Sequence, residues 1–286
     1  DVITAAVAAL ADFKNPFANT KAAITSGGSN VTIGYRSGLD LLTGNYNTLL
    51  GTESGFEVTT NEGSVFLGYQ AGKNTKGNYH YNVAIGTQAL SGVHTGTGTI
   101  AIGYKAAEAL TSGANNLAIG YQAMKVHTTG ARNIAIGVEA MDDTNAGSTS
   151  LASEDNTFIG YRAGSGTWTD VASNGNVGIG NYTMDSALAG ALGNVSLGHY
   201  SLSSLTTGDY NIGIGSNAGL SITTGEKNIA IGRLAGDTMT TTSNTVIIGF
   251  EAGQAINSAD ANGTVAIGYQ AGAAITSGQK STIVGY

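Results

Sequence analysis

The side chains that could carry out chemistry are few and widely separated along this chain. Four histidines, His80, His94, His127 and His199, fall in different segments, and none of the 286 residues is a cysteine. Metal binding and acid–base or nucleophilic catalysis need several such groups to converge. No set of Ser, His and Asp is grouped in this way. We therefore predict no enzymatic activity, no metal ion and no cofactor.

Two insertions are the strongest candidates for a binding role. Residues 142–155 and 165–175 lengthen two consecutive units of a glycine repeat, so the two loops should lie side by side. Aromatic rings and polar acceptors often occur together in ligand sites, and clustered carboxylates can bind calcium. We predict receptor binding at these loops, and surface insertions without a function are the alternative, because longer loops cost little entropy. The predicted receptor-binding residues are Trp168, Asp170, Asp142, Asp143, Glu154 and Asp155.

Composition and charge exclude several classes of partner. The net charge is −7, and no block of Lys and Arg is present to bind phosphates, so nucleic acid is not expected as a partner. The longest apolar run, residues 5–10, is too short to cross a bilayer, so we predict no membrane insertion.

A glycine repeats at a nearly constant spacing along most of the chain, and most of the fourteen spacings are 17 residues. A fixed short period is typical of solenoids, in which each unit buries its apolar face by stacking on its neighbours. The repeat predicts an all-β parallel solenoid of about fifteen coils. The fifteen glycines are Gly34, Gly51, Gly68, Gly86, Gly103, Gly120, Gly137, Gly160, Gly180, Gly198, Gly215, Gly232, Gly249, Gly268 and Gly285.

Each of these glycines follows a short segment with period-two hydrophobicity, which indicates a β-strand. An aliphatic residue precedes the glycine in every unit, and another lies two positions earlier in twelve units. We predict that the aliphatic residues directly before the repeat glycines form the core. These residues are Ile33, Leu50, Leu67, Ile85, Ile102, Ile119, Ile136, Ile159, Ile179, Leu197, Ile214, Ile231, Ile248 and Ile267.

The position between the two aliphatic residues should point to the opposite, outer face of the strand. It is seldom polar, as Ala84, Ala118, Phe66 and Ile247 illustrate. A strand that is apolar on both faces needs a second hydrophobic partner, so we predict that several chains pack around a common axis. A single solenoid with an Ala-rich outer surface is the alternative.

Tyrosine follows the repeat glycine in seven units, including Tyr69, Tyr104, Tyr121 and Tyr161. This column could form an aromatic ladder from coil to coil, or a surface on which sugars stack.

Units such as NNLAIGYQAM (115–124), NTFIGYRAG (156–164) and TVAIGYQAG (264–272) resemble the head repeats of trimeric autotransporter adhesins. They are equally similar to the NTAIGYQAL repeats of bacteriophage tail fibres. The resemblance covers roughly residues 29–286. It implies a left-handed parallel β-roll, a homotrimer, and an extracellular role on a virion tail or a bacterial surface.

The chain divides into residues 1–28, an N-terminal helix and connector, and residues 29–286, the repeat domain. Residues 1–15 place Ile3, Ala6, Leu10 and Phe13 at heptad spacing, which predicts a short helix. The final unit carries no cap, which predicts that the native chain continues beyond Tyr286.

Together these features predict a structural and adhesive fibre segment, a trimeric rod that attaches to a glycan or protein receptor on a cell surface. An ice-binding solenoid is the alternative function. Thr or Ser recurs nine residues after the glycine in most units and could form a ladder, as at Thr43, Thr60, Thr95, Thr129, Thr207 and Thr224.

Overall fold

The computed structural model describes residues 27–77, 80–144, 153–169 and 171–285. The helix predicted for residues 1–15 lies outside this part of the chain. In the described residues, no helix is both long and apolar enough to cross a membrane.

The described residues form a β-solenoid in which each coil contributes one short strand to a single sheet. Neighbouring strands pair in parallel, in the order in which they occur in the sequence. This confirms the predicted all-β parallel solenoid of about 17 residues per coil. The strands are β1 Val31–Ile33, β2 Thr48–Leu50, β3 Val65–Leu67, β4 Val83–Ile85, β5 Ile100–Ile102, β6 Leu117–Ile119, β7 Ile134–Ile136, β8 Thr157–Ile159, β9 Val177–Ile179, β10 Val195–Leu197, β11 Ile212–Ile214, β12 Ile229–Ile231, β13 Val246–Ile248, β14 Val265–Ile267 and β15 Thr282–Val284.

One irregular coil carries a short 3-10 helix, Ala259–Ala261, before β14. The hydroxyl of Ser258 accepts a hydrogen bond from the backbone N–H of Asp260 at 3.1 Å and caps this helix.

The repeat glycines stack directly on one another at the corner that follows each strand. Gly120 has a φ of 140°, and a Cβ atom placed there would lie 2.2 Å from the carbonyl oxygen of Gly137. Any other residue would therefore need both an unfavourable backbone conformation and a wider spacing between coils. This close approach explains the fixed glycine of the repeat.

The face of the sheet that forms the core is the reverse of the predicted one. From β2 to β14 the middle residue of each strand is buried, whereas the first and third residues are partly or largely exposed. Small residues such as Ala118 therefore point into the solenoid, where the cross-section has little room. The aliphatic residues predicted to form the core occupy the third position of each strand and lie on the outer face of the sheet, so this prediction is wrong for the single chain. These residues are Ile33, Leu50, Leu67, Ile85, Ile102, Ile119, Ile136, Ile159, Ile179, Leu197, Ile214, Ile231, Ile248 and Ile267.

A second buried column, seven or eight residues after the repeat glycine, completes the core; we call it the far-side column. Apolar residues predominate in it, with a few His and Thr side chains between them. Its buried members are Leu41, Val58, Thr75, His94, Leu110, His127, Thr144, Trp168, Leu188, Leu205, Ile222, Met239 and Ile256.

Side-chain volumes compensate one another within many of the coils. Where the middle strand residue is large, the residue four after the repeat glycine is itself glycine, as in the pairs Phe66–Gly72 and Phe158–Gly164. A Cβ atom on Gly164 would lie 2.8 Å from the Phe158 ring. In five of the nine coils whose middle residue is Ala, Gly or Ser, the later position carries a large side chain, as in Ala118 and Met124, both fully buried. Large side chains also fill space across coils, because a Cβ atom on Gly178 would lie 2.6 Å from the Phe158 ring of the preceding coil.

A ladder of buried asparagines runs along the stack at the residue before each strand. Asn211 illustrates the pattern. Its side-chain N–H groups donate to Asn194 Oδ1 at 3.1 Å and to the Gly225 carbonyl at 2.8 Å, and its Oδ1 accepts from the backbone N–H of Asn228 at 3.1 Å. The ladder satisfies backbone groups in the interior that water cannot reach. Its buried asparagines are Asn47, Asn82, Asn116, Asn133, Asn156, Asn176, Asn194, Asn211 and Asn228, and Ser or Thr takes the position in other coils.

Volume compensation predicts the behaviour of a core double variant. Ala118→Phe alone should destabilise the protein by about 1–3 kcal/mol, because the ring would overpack against Met124. Adding Met124→Gly reproduces the Phe158–Gly164 pair and should recover most of that loss, as measured by urea unfolding. Equal stability of the single and double variants would contradict compensation between these two positions.

The asparagine ladder predicts an asymmetry between two substitutions. Asn211→Leu leaves the Gly225 carbonyl and the Asn228 N–H unpaired and should cost roughly 3 kcal/mol or more in unfolding free energy. Asn211→Thr should cost less, because Thr245 takes the same position and donates from its hydroxyl to Asn228 Oδ1 at 2.8 Å. If the two variants melt at the same temperature, the ladder contributes no specific stability.

Candidate functional site

The outer face of the sheet, made by the first and third residues of β1–β15, is an extended apolar surface of the described chain. It carries two parallel columns of Val, Ile and Leu side chains, interrupted by Thr48, Thr157 and Thr282. Leu197 is 46% exposed and Ile179 38% exposed, whereas the middle residues of the same strands are buried. The strands of a parallel sheet are normally covered on both faces.

The dimensions of the outer face are those of a protein interface. Fourteen strand spacings of about 4.8 Å give a length of roughly 67 Å, and three residues of strand give a width of about 10 Å. The outline of the face is therefore roughly 650 Å². It approaches the ~800 Å² per partner that a standard protein–protein interface buries.

An aromatic column borders the outer face at the residue after the repeat glycine. Tyr104 and Tyr121 stack with their ring centroids 5.3 Å apart, and Phe250 and Tyr269 stack at 5.5 Å. Tyr121 is 47% exposed, so these rings line the edge of the sheet at the surface of the single chain.

The receptor-binding prediction for Trp168 is wrong. The side chain is fully buried in the far-side column and packs edge-on against Phe158, with ring centroids 5.9 Å apart. The sequence carries a signal for this burial, because Trp168 falls at the spacing from the repeat glycine that other coils fill with Leu or Ile. Asp170 lies outside the described residues.

The predicted acidic residues have different environments. Glu154 and Asp155 both accept hydrogen bonds from the Arg132 guanidinium, each at a shortest distance of 2.6 Å. Arg132 lowers the pKa of Asp155. These two carboxylates therefore already have a cationic partner within the chain.

Asp142 and Asp143 lie at the start of the first insertion. Burial, and next the charge of Glu139, raises the pKa of Asp142 to about 6. Asp143 accepts a hydrogen bond from the Thr167 hydroxyl, and the Trp168 backbone N–H donates to the Asp143 carbonyl at 3.1 Å. The described parts of the two insertions thus lie against each other. Within the ranges that the structure describes, no three His, Asp or Glu side chains are grouped so that they could hold a metal ion.

A column of threonines next to the predicted ladder has a structural role in part of the stack. The hydroxyls of Thr206 and Thr223, eight residues after the glycine, donate to the backbone of the next coil at 3.0 and 3.2 Å. The neighbouring Thr207 and Thr224 are exposed. The exposed ladder is therefore one residue wide at this corner.

Two of the four histidines are structural members of the core. His94 and His127 are buried in the far-side column, and burial lowers the pKa of each to about 4. His127 Nδ1 lies 2.9 Å from the Thr144 hydroxyl. Both rings are therefore neutral at pH 7.

Comparisons with protein-family models, with curated proteins and with solved structures found no match to this chain.

The buried histidines predict a loss of stability in mild acid. Between the ordinary histidine pKa of 6.5 and the folded value of about 4, the unfolded chain binds more protons than the folded chain. Stability should therefore fall as the pH drops through this range, by roughly 3 kcal/mol per histidine at the lower limit.

The matched variant is His94→Leu with His127→Leu, because Leu110 occupies the same column one coil after His94 and one before His127. Urea unfolding at pH 7 and pH 4.5 should show a smaller acid loss for this variant than for the unmodified protein. Carboxylates contribute equally to both proteins, so an identical acid loss would show that the histidines are not the cause.

Proposed function

We propose that this chain is a structural and adhesive segment of an extracellular fibre, in which three copies pack their outer faces around a common axis. The observation that carries the proposal is the double column of aliphatic side chains on the outer face, which the single chain leaves partly or largely exposed. Burying this face against other copies removes apolar surface from water at about 25 cal/mol per Å².

Flat and continuous apolar strips favour parallel, in-register association of copies. In that arrangement each coil meets the same coil of its neighbours, so the three copies of Thr157 lie at one level. Their hydroxyls can then hydrogen-bond with one another instead of facing aliphatic side chains. Thr48 and Thr282 are accommodated in the same way.

The number three and the extracellular setting come from the resemblance of units such as NTFIGYRAG (156–164) to adhesin-head and tail-fibre repeats. Closed cyclic symmetry is the usual outcome when identical chains associate. A rod of this kind spans a distance and presents its corners and insertions to a target surface. Its role is adhesion and reach, and it requires no cofactor and no bond-forming chemistry.

The proposal predicts the mass of the protein in solution. Light scattering at micromolar concentration should give about three times the 28.7 kDa of one chain. A well-folded species with the mass of one chain would refute the proposal.

Charge on the outer face should dissociate the assembly without unfolding each chain. We expect Ile119→Lys with Ile136→Lys to shift the mass towards that of one chain, because six ammonium groups would meet near the axis and none could be solvated. Thr224→Lys, at an exposed position on another corner of the coil, is the control and should leave the mass unchanged. Circular dichroism checks that the β-structure is retained.

A further inference from the structure

Two columns of side chains follow the repeat glycine, and they differ in chemistry. The first position after the glycine is often aromatic, and the second is usually polar, as in Tyr69–Gln70 and Tyr121–Gln122. We call them the first and second corner columns. The first corner column borders the outer face that we propose is buried between copies.

The second corner column forms a polar ladder between coils. Gln70 Nε2 donates to Glu53 Oε2 at 2.8 Å, and Gln88 Nε2 donates to Gln70 Oε1 at 3.2 Å. Near the other end of the stack, Gln270 donates to Glu251 at 2.8 Å. Polar side chains are therefore the structural solution for this column.

The coils that follow β9 and β10 depart from this rule, because the order of the two residue types is inverted. Asn181 and His199 take the first column, and Tyr182 and Tyr200 take the second. The two tyrosine rings stack with centroids 4.8 Å apart and an angle of 8° between their planes. A pair of aromatic rings thus replaces the polar ladder in two consecutive coils.

Two further rings extend this pair into a patch, which we call the tyrosine patch: Tyr161, Tyr182, His199 and Tyr200. The ring centroid of Tyr161 lies 5.2 Å from that of Tyr182 at 85°, and His199 lies 4.2 Å from Tyr200 at 66°. The patch spans three coils and both corner columns. Tyr161 is 39% exposed, and His199 is also exposed.

Neither the core nor the backbone explains the tyrosines at 182 and 200. Both lie outside the buried cluster, and their left-handed φ values of 57° and 54° match those of the polar residues that take this column in other coils, such as Gln70 at 56°, so the backbone does not require an aromatic residue there. The inversion also moves the rings out of the column that borders the outer face. These features favour binding of a ligand over packing between copies.

The electrostatic environment of the patch suits an uncharged ligand. Arg162, which lies one coil before Tyr182 in the second column, has an anionic partner in the Glu139 carboxylate, 3.9 Å from its Nε atom. Desolvation, and next the nearby Tyr161, raises the pKa of Tyr182, so its hydroxyl stays neutral at physiological pH. The Asn181 amide oxygen accepts a hydrogen bond from the Tyr161 backbone N–H at 3.0 Å, which fixes this side chain beside the rings.

We propose that the tyrosine patch is a carbohydrate-binding site that takes a neutral pyranose of a surface polysaccharide. The C–H face of a pyranose packs on aromatic rings, while the tyrosine hydroxyls and the Asn181 side-chain N–H can hydrogen-bond with the sugar hydroxyls. The site deepens the adhesive role proposed above and rests on it only for the source of the sugar.

Saturation-transfer NMR with the methyl pyranosides of glucose, galactose, mannose and N-acetylglucosamine tests the proposal. We expect at least one of these sugars to receive saturation from the protein, with a millimolar dissociation constant. In Tyr182→Gln with Tyr200→Gln, binding should weaken roughly tenfold or more, because two ring contacts are lost. Gln is the matched replacement, since it restores the polar ladder seen at Gln70 and Gln88.

Two control variants test whether sugar binding is specific to the tyrosine patch and how much of it the rings supply. Tyr104→Thr with Tyr121→Thr removes a stacked aromatic pair elsewhere, and Thr52 and Thr87 occupy that column in other coils, so sugar binding should persist. Tyr182→Phe with Tyr200→Phe should retain part of the binding through the rings alone.

Three results would overturn the proposal: no binding of any of the four sugars, equal binding by the Gln variant, or equal loss in both the Gln variant and the Tyr104 and Tyr121 control. A fall in mass of the Gln variant by light scattering would show instead that the patch joins copies of the chain. Sugar binding by a protein that has the mass of one chain would refute the trimer and leave the site intact.

Discussion

The whole structure depends on stacking every coil on the next at the spacing of a single β-strand. This spacing brings the Gly120 Cα so close to the Gly137 carbonyl that no side chain fits between them. It also places each asparagine of the ladder within hydrogen-bond distance of its neighbour. Since each coil has one residue at each position, the chain is organised in columns, and each column has its own chemical requirement.

The narrow interior determines which apolar residues go inside and which go outside. One coil has room for about one large side chain opposite its far-side residue, so Phe158 requires Gly164 and Ala118 accommodates Met124. The larger aliphatic side chains of the strands therefore lie on the outer face. The same constraint that keeps the core thin thus creates the surface through which we propose that copies associate.

Periodicity in the sequence predicted the coil length, the strands and the parallel stacking, because these depend on spacing alone. It did not predict which strand face is inside, since both faces are apolar and the alternation of Leu117, Ala118 and Ile119 has the same period either way. Size was the missing signal: a large residue at the middle position accompanies glycine six residues later. The burial of Trp168 was missed for a related reason. Its spacing from the repeat glycine determines its burial, whereas the prediction relied on its being the single tryptophan of the sequence. The rings around Tyr182 and Tyr200 meet only in three dimensions, although the inverted order of residue types is visible in the sequence.

The unbroken glycine corner has a consequence for how such a rod could change over time. Because this corner admits no bulkier residue, extra chain can enter only elsewhere on the perimeter, as the insertions at 142–155 and 165–175 do. Duplication of one whole unit, by contrast, preserves every type of neighbour contact and adds a single strand spacing to the rod. The length of the stack can therefore change by inheritance in steps of about half a nanometre.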